Sequence, residues 1–453
     1  MTLKAIDFID FRPNGSSLTI GQQVAAARER VGDRHFSDTV DAAGHQYVDI
    51  VMEGGGVLGI ALMGYIYALE QCGLRFLSIG GTSAGAITAL MVAGLGVPSQ
   101  AKTETALPIL AGMPMAEFVD GNRRVKRLID AFIAGSGPLS LGFKVLRVRS
   151  VLLNRLGLNP GAAFERWVDA ALANVGIETL EDLIRRMRTA PQGLRVCGRD
   201  VSPEQILNDH PLCLIAADIS TETRARLPQM APMYFRSWQS LSPAKLARMS
   251  MAVPYFFEPV TVRFDRDSAD EQAWITEAGF PAKTIAQCKA EGRHWLPKQS
   301  LFVDGGVLSN FPIDVFHDFS AAVPSRPTFG VKLELDVRAV EIRGIGKFTS
   351  QMFNAARHIL DIESIRRNPE FAQLVSFIDT GDHNWLDFGL EDHAKLDLFQ
   401  RGVKEGIAFL ERFDWPAYKE ARRQIGAGQR QMEATALKSE VADAVPQRNY
   451  MPS

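Results

Sequence analysis

Cysteine is scarce in this chain of 453 residues. The four cysteines are Cys72, Cys197, Cys213 and Cys288. Their spacing matches neither a C-x-x-C pair nor a zinc-ligand pattern, and they are too few for a disulfide framework in a chain of this length. Such sparse cysteine usage is typical of a protein in a reducing compartment.

Long hydrophobic runs are also missing. The most apolar stretches, Val57–Leu69 and Ala86–Val97, are shorter than the ~20 residues that a membrane-spanning helix needs. The start of the chain, MTLKAIDFIDFRPNGSS, carries two acids and lacks the apolar region of a secretory signal. We therefore predict no transmembrane helix and no secretory signal. We expect a cytoplasmic protein that can also associate peripherally with a membrane.

Neither sign of charge is in excess, since 50 Lys and Arg residues face 52 Asp and Glu residues and give a net charge of -2. The chain thus lacks the global basic character of a nucleic-acid-binding protein, and no nucleic acid partner is expected. With 46% hydrophobic and 23% charged residues, the composition disfavours disordered, collagen-like and multi-span membrane proteins. A globular fold with a sizeable core is expected.

Two successive strand–loop–helix units begin near residue 47. In the first, the strand formers Tyr47–Met52 precede a glycine loop and a helix over Val57–Gln71. In the second, a strand at Phe76–Ile79 leads into an Ala-rich helix at Ala84–Leu95. Two such units predict a parallel sheet with right-handed crossovers, and hence an α/β fold.

The rest of the chain adds elements to this sheet. Further strands are predicted at Leu212–Ile219, Pro259–Phe264, Leu301–Val303, Thr328–Leu335 and Leu374–Ile378, and further helices at Gly21–Arg30, Ala163–Val175, Leu180–Met187, Pro243–Ser250 and Gly346–Arg367. We expect residues 1–45 to be an N-terminal extension, 46–413 the main domain and 414–453 a polar tail with helical character.

The clearest chemical motif is Gly81-Thr82-Ser83-Ala84-Gly85, a G-x-S-x-G between a predicted strand and a predicted helix. By itself this pattern is as often a structural turn as a site. In a strand-to-helix context, however, the serine hydroxyl projects from the sheet edge, and the helix N-terminus favours developing negative charge. Ser83 is therefore predicted to be a nucleophile.

A glycine loop, Glu53-Gly54-Gly55-Gly56-Val57-Leu58-Gly59, follows the first strand and also satisfies G-x-G-x-x-G. Dinucleotide binding remains an alternative, but the second strand ends in glycines where a ribose-binding acid is expected. A P-loop is excluded because no Gly-Lys-Ser/Thr follows. The favoured interpretation is that the bare amides of Gly54, Gly55 and Gly56 form an oxyanion hole beside the nucleophile.

An acid follows the predicted strand Leu301–Val303, in the sequence Asp304-Gly305-Gly306. Asp-Gly-Gly is more often a simple turn. At the carboxyl end of a sheet strand, however, the acid would share an edge with Ser83, because α/β sheets bind ligands at that edge.

These three segments, in this order, resemble the patatin-like phospholipase family, and the resemblance covers roughly residues 47–378. It implies a three-layer α/β/α fold with a central, mostly parallel sheet. It further implies a Ser–Asp dyad in which Ser83 is the nucleophile and Asp304 the general base, with Gly54–Gly56 as the oxyanion loop. Other residues that match the family motifs are Gly59, Gly81, Gly85, Gly305 and Gly306.

The resemblance extends to Ala247–Val260, which is similar to the family segment of small residues followed by proline and aromatics. One position departs from the pattern, since Leu58 stands where the glycine loop usually carries Arg or Lys. The implied reaction is hydrolysis of fatty acyl esters of phospholipids or related lipids through an acyl-enzyme. Some family members stay inactive until a partner protein or small ligand engages them, so an activator is a further expectation.

Residues 122–157 are basic and apolar together. Eight bases face the single acid Asp130, and leucines, valines and Phe143 lie between them. The pattern is consistent with an ordinary helical insertion. It also fits a cap that docks on an anionic lipid surface, for which Arg123, Arg124, Lys126 and Arg127 are the candidate contacts.

Histidines and possible metal ligands offer two alternatives. An α/β-hydrolase triad requires a histidine after the acid, and His317, His358, His383 and His393 all follow Asp304. Glu391, Asp392, His393 and Asp397 are spaced like a solvated helical turn rather than a ligand set, so no metal and no organic cofactor is expected. A catalytically silent module that binds lipid is the remaining alternative.

Overall fold

The computed structural model describes residues 3–127, 150–263, 266–317, 323–334, 341–342, 365–368, 370–383, 385, 387 and 389–426. Its strands are β1 (Thr39–Val40), β2 (Gln46–Met52), β3 (Leu74–Thr82), β4 (Gly157–Asn159), β5 (Arg195–Val196), β6 (Leu212–Asp218), β7 (Thr223–Leu227), β8 (Tyr255–Phe257), β9 (Val260–Arg263), β10 (Gln299–Asp304), β11 (Thr328–Glu334) and β12 (Val375–Asp379).

The α-helices are α1 (Ala5–Ile9), α2 (Ile20–Val31), α3 (Gly59–Gln71), α4 (Ala84–Gly94), α5 (Thr103–Ala111), α6 (Ala162–Ala173), α7 (Leu180–Met187), α8 (Pro203–Ile206), α9 (Pro243–Ser250), α10 (Glu271–Thr276), α11 (Ala282–Ala290), α12 (Phe371–Leu374) and α13 (Asp392–Arg412). Residues 123–127, 150–155 and 415–426 are also helical. Within the described ranges, every helix is too short or too polar to cross a bilayer.

The main sheet has the strand order β12-β11-β2-β3-β6-β10-β9. The five strands from β12 to β6 run parallel to one another, whereas β10 and β9 continue the sheet in antiparallel orientation. Helices flank this sheet, and most of the described chain from α13 to residue 426 is helical. The predicted fold class, an α/β protein with a central, mostly parallel sheet, is confirmed.

The central strands and the helices that follow them are buried almost completely, because their sequences are apolar on all sides. Helix α3 is buried from Ile60 to Glu70 and packs closely along α13. The contact requires glycine, since a Cβ at Gly64 would lie 2.0 Å from the carbonyl oxygen of Phe399. A Cβ at Gly402 would lie 1.8 Å from the carbonyl oxygen of Ala61. The two helix backbones are therefore in direct contact.

The predicted strands and helices occur within a few residues of their expected positions. The helix predicted at Gly346–Arg367 lies mostly outside the described residues, of which 365–367 are helical. Sequence patterns missed β7, which is short and alternates arginines with buried residues, and α13, whose polar face masks its apolar stripe.

Both predicted flanking segments contribute to the core. Phe8 and Val24 of the N-terminal segment are buried, as are Trp415 and Tyr418 just after α13. The side chain of Asp38 accepts hydrogen bonds from Trp415 Nε1 and Lys419 Nζ. These bonds join the N-terminal segment to the segment that follows α13. The domain boundaries at residues 45 and 413 remain predictions.

Candidate active site

Ser83 occupies a sharp turn between β3 and α4. Its φ of 51° lies in the left-handed region that a residue with a side chain rarely adopts, so the backbone is strained there. The turn needs glycine on both sides. A Cβ at Gly81 would lie 2.5 Å from the Gly85 carbonyl carbon, and a Cβ at Gly85 would lie 2.3 Å from the Met52 carbonyl oxygen. This is the strand–turn–helix geometry that the G-x-S-x-G pattern predicts.

A second serine holds the backbone of this turn. The amide of Ser83 donates to Ser250 Oγ at 3.0 Å, and Ser250 Oγ donates to the carbonyl of Ile215 at 2.6 Å. Two residues further on, the carbonyl of Ala252 accepts from the amide of Asp304 at 2.8 Å. The short segment that ends α9 is thus hydrogen-bonded to both candidate catalytic residues.

Asp304 reaches the level of Ser83 for a reason that the sequence did not show. Strand β10 is antiparallel to β6, so its carboxyl end points the opposite way from those of the parallel strands. However, β6 extends beyond β3: Thr82 lies opposite Ile215, and Asp304 lies opposite the next residue, Ala216. The prediction that Ser83 and Asp304 both follow the carboxyl ends of parallel strands was therefore wrong. The two residues nevertheless lie at the same level of the sheet, because β10 runs antiparallel beside the longer β6.

The turns that carry Ser83 and Asp304 pack against each other. A Cβ at Gly305 would lie 2.9 Å from Thr82 Cγ2 and 2.2 Å from the Ile215 carbonyl oxygen, so only glycine fits there. Asp304 Oδ1 accepts a hydrogen bond of 2.8 Å from the amide of Gly306. Both Ser83 and Asp304 are buried, with 8% and 4% of their surfaces exposed.

The glycine loop after β2 is attached to the same region by Asn310. The carbonyl of Asn310 accepts from the Gly54 amide at 3.2 Å, and Asn310 Nδ2 donates to the Gly54 carbonyl at 3.1 Å. The amide of Gly54 is therefore occupied. Among the described residues, the amides of Gly55 and Gly56 donate to no acceptor, and Gly56 lines the same cavity as Ser83.

A buried ion pair lies just before this loop. Glu53 Oε1 accepts from Lys332 Nζ at 2.6 Å and from Asn310 Nδ2 at 3.0 Å, while Glu53 Oε2 accepts from the Leu333 amide at 2.7 Å. Leu58, at the position where the family usually has a cation, is fully buried. The positive charge beside the start of the loop is thus that of Lys332 from β11, which is paired with Glu53. No motif in the sequence pointed to Lys332.

The cavity in front of Ser83 is apolar. It is lined by Gly56, Ser83, Ala84, Ile87, Met113, Met115, Phe118, Phe164, Met251, Val253, Phe256, Phe257 and Trp385. The carbonyl of Trp385 also accepts from the Val57 amide at 3.1 Å, so this residue covers the glycine loop as well as the cavity. Such a cavity suits a hydrocarbon chain rather than a phosphate group.

Arg248 supports one wall of the cavity from behind. It is 3% exposed, and its Nη2 donates to the carbonyls of Pro160 and Glu258 at 2.6 and 2.7 Å. Its guanidinium lies 5.5 Å from the ring centroid of Phe257. Burial lowers the pKa of Arg248, and the nearby carboxylates of Glu165, Asp120 and Glu258 oppose that shift.

The candidate histidines that the structure describes are not among the residues that line this cavity. His317 packs edge-on against Phe371, and His393 against Phe11. His383 Nε2 is 2.8 Å from Asp397 Oδ2, which also accepts from Arg401. His358 lies outside the described residues. In the part of the chain that the structure describes, no cluster of three potential metal ligands occurs.

The basic segment at 122–157 is described at its two ends. Arg123, Arg124, Lys126 and Arg127 are exposed, while Val125 between them is buried. The other bases at Lys144, Arg147 and Arg149, together with Asp130 and Phe143, lie outside the described residues.

With Ser83 as the predicted nucleophile, we expect Ser250→Ala to slow its acylation by about 10- to 100-fold, because the strained amide of Ser83 loses its acceptor. The rate of labelling by a fluorophosphonate probe measures this step. The matched control is Ser242→Ala, which removes the N-cap of the same helix α9 and costs about 1 kcal/mol of stability. Equal labelling rates in the two variants would contradict the positioning role of Ser250.

This chain resembles known proteins in both sequence and structure. The model of the patatin-like phospholipase family matches residues 50–317. The uncharacterized protein YqhO of Bacillus subtilis (strain 168) is 30% identical over 372 residues, which cover 82% of this chain and 100% of YqhO. Among solved structures, VipD from Legionella pneumophila matches with a TM-score of 0.38 and 16% identity over 84% of this chain and 71% of its own.

A chain of the heterodimeric ExoU–SpcU complex from the type III secretion system of Pseudomonas aeruginosa matches with a TM-score of 0.32 and 15% identity over 83% of this chain and 52% of its own. The family model spans more than half of the sequence and includes the glycine loop, the G-x-S-x-G turn and the Asp-Gly-Gly turn. This chain belongs to the patatin-like phospholipase family.

Proposed function

We propose that this protein is a serine acyl hydrolase that cleaves fatty acyl esters of phospholipids or related lipids. The observation that carries the proposal is the position of Ser83, which lies in a strained turn and opens on an apolar cavity. The Asp304 turn packs against the Ser83 turn, and the glycine loop reaches the same cavity. In this proposal Ser83 is the nucleophile, Asp304 the base and the glycine loop the oxyanion site, and the apolar cavity is where the acyl chain enters.

In the proposed reaction, Ser83 Oγ attacks the ester carbonyl while its proton passes to the carboxylate of Asp304. The oxyanion forms beside the amides of Gly55 and Gly56, near the N-terminus of α4, which also favours negative charge. The C–O bond breaks and the lysolipid or alcohol leaves with the proton. Water then attacks the acyl-enzyme and gives a proton to Asp304. The bond between the acyl carbon and Ser83 Oγ breaks, Asp304 returns that proton to Ser83 Oγ, and the fatty acid is released.

The cavity favours the acyl part of the substrate. Its described lining is methionine, aromatic and aliphatic apart from Ser83, so the fatty chain is the part that it can bury. A phosphate-bearing head group is better accommodated at the mouth, toward water or a lipid surface. The exposed bases Arg123, Arg124, Lys126 and Arg127 complement an anionic surface, and we propose a peripheral membrane location on that ground.

A fluorophosphonate probe tests the proposal directly. We expect the purified full chain to form a covalent adduct at Ser83 and to release free fatty acids from phospholipid vesicles. Ser83→Ala should abolish the adduct and reduce release to the background rate.

Several outcomes would favour other functions. An adduct without fatty acid release, even with cell extract added as a source of activator, indicates a substrate other than lipid. Absence of both adduct and release under those conditions favours the silent lipid-binding module. A loss of about 10³-fold on changing a single histidine to alanine would favour a triad instead of the dyad.

A further inference from the structure

We propose that Leu153, Leu156 and Tyr255 form an apolar anchor that inserts into an anionic lipid bilayer and turns the mouth of the Ser83 cavity toward it. These side chains are 65%, 49% and 64% exposed. The inference rests on the proposed function in one respect, because an acyl cavity gains from such an orientation. The three residues and the four exposed bases at 123–127 are called the docking face below.

The backbone at the docking face is strained in a way that water-exposed loops usually avoid. Leu156 has a φ of 59° and Tyr255 a φ of 67°. Among the described residues, Ser83 and Glu222 are the only other non-glycine residues with positive φ. Bulky apolar residues are unusual in this region, where Gly, Asn or Asp is preferred. Such strain concentrates at functional sites, as it does at Ser83.

The parts of the docking face belong to one packed unit. Strands β4 and β8 pair in parallel with Gly157 opposite Tyr255, so Leu156 comes one residue before the position that faces Tyr255. Beneath them, Val119 and Val125 pack with Leu152, Leu158 and Phe256. The amide of Gly121 donates to Asn159 Oδ1, so the basic turn is fastened to β4. The basic turn and the segments that carry the three apolar residues are therefore attached to each other in one packed unit.

This unit is also a wall of the cavity. Phe256 and Phe257 follow Tyr255 in β8 and line the cavity in front of Ser83. The buried guanidinium of Arg248 donates to the carbonyl of Pro160, just after β4, and to that of Glu258, just after β8. The anchor is thus rigidly connected to the cavity. A lipid surface that covers the anchor lies at the edge of the cavity.

The charges favour an anionic bilayer as the occupant. Two acids near the four exposed bases are already engaged. Glu258 Oε1 accepts from Arg155 Nη1 at 3.2 Å, and the carboxylate of Asp120 accepts from the amides of Gly161 and Ala163, each at 3.0 Å. Leucines and an amphipathic aromatic ring next to exposed bases are the side chains that enter the interfacial region of anionic membranes.

Co-sedimentation with vesicles tests the docking face without any turnover. All variants are made in the Ser83→Ala protein, so that the result does not depend on hydrolysis. The anchor variant combines Leu153→Gln, Leu156→Asn and Tyr255→Asn. Because asparagine tolerates the left-handed backbone, we expect this variant to stay folded, which its thermal unfolding midpoint verifies. The matched control, Leu18→Gln with Ile219→Gln, removes two exposed apolar side chains elsewhere.

We expect the unchanged docking face to bind vesicles of phosphatidylcholine with phosphatidylserine and to bind pure phosphatidylcholine much less. The anchor variant should bind the mixed vesicles about 100-fold more weakly, whereas the control should bind them normally. Arg123→Glu with Arg127→Glu should remove the preference for phosphatidylserine. The proposal is overturned if the anchor variant and the control bind alike, or if the protein binds neither kind of vesicle.

Discussion

Asp304→Asn is expected to lower the turnover of a fatty acyl ester by about 10⁴-fold or more, because loss of one member of the catalytic set costs about 10⁴- to 10⁶-fold in other serine hydrolases. The amide keeps the size of the carboxylate and can still accept from the Gly306 amide through its oxygen. It cannot take the proton of Ser83. The measurement is the rate of fatty acid release by protein whose thermal unfolding midpoint is unchanged.

Two controls separate a chemical role of Asp304 from a structural one. Asp314→Asn changes an acid ten residues later in the chain that pairs with Arg224, and it should leave turnover within a few-fold of normal. The double variant Ser83→Ala with Asp304→Asn should be no slower than Ser83→Ala, because the two residues act in the same step of the proposed reaction. Retention of full turnover by Asp304→Asn would remove Asp304 from the mechanism.

Gly64→Ala is expected to cost at least about 3 kcal/mol of folding free energy, at the upper end of overpacking effects. The added Cβ would lie 2.0 Å from the carbonyl oxygen of Phe399 and 2.9 Å from its carbonyl carbon. Since these are backbone atoms, no change of rotamer relieves the clash, and α3 and α13 must separate. Urea unfolding of the purified variant measures the loss.

The matched control lies at the start of the same helix. At Gly59, a Cβ would meet the nearest atoms, Ala84 Cβ and Thr88 Oγ1, at an ordinary contact distance of 3.6 Å. Gly59→Ala should therefore leave stability unchanged or raise it by about 0.5–1 kcal/mol, the usual gain from alanine in a helix. Equal unfolding midpoints for Gly64→Ala and Gly59→Ala would show that the helix contact is looser than the structure indicates.

The strand–turn–helix units could be predicted because their signals are local. Apolar runs of strand and helix length alternate around glycine loops, and these local patterns suffice to define β2, α3, β3 and α4 to within a few residues. The G-x-S-x-G turn is local as well, since its two glycines and the left-handed backbone of Ser83 lie within five residues. A nucleophile at Ser83 could therefore be proposed without coordinates.

The residues that hold the site together could not be predicted in the same way. Ser250 is 167 residues from Ser83 in the chain, and Asn310 is 256 residues from Gly54. Their hydrogen bonds depend on which strands become neighbours, and one sequence contains no signal of that pairing. The same holds for Lys332, whose ion pair with Glu53 is formed between β11 and the end of β2.

Local pattern was thus enough to establish the α/β class, the serine turn and the glycine loop, because each depends on a few consecutive residues. Long-range pairing established the rest. The antiparallel course of β10 and the extra length of β6 bring Asp304 level with Ser83. Folding also places Tyr255 opposite Gly157, the residue after Leu156, because β4 pairs with β8 across about a hundred intervening residues. Contacts between distant segments arise from the packing of whole elements, which no short stretch of sequence encodes.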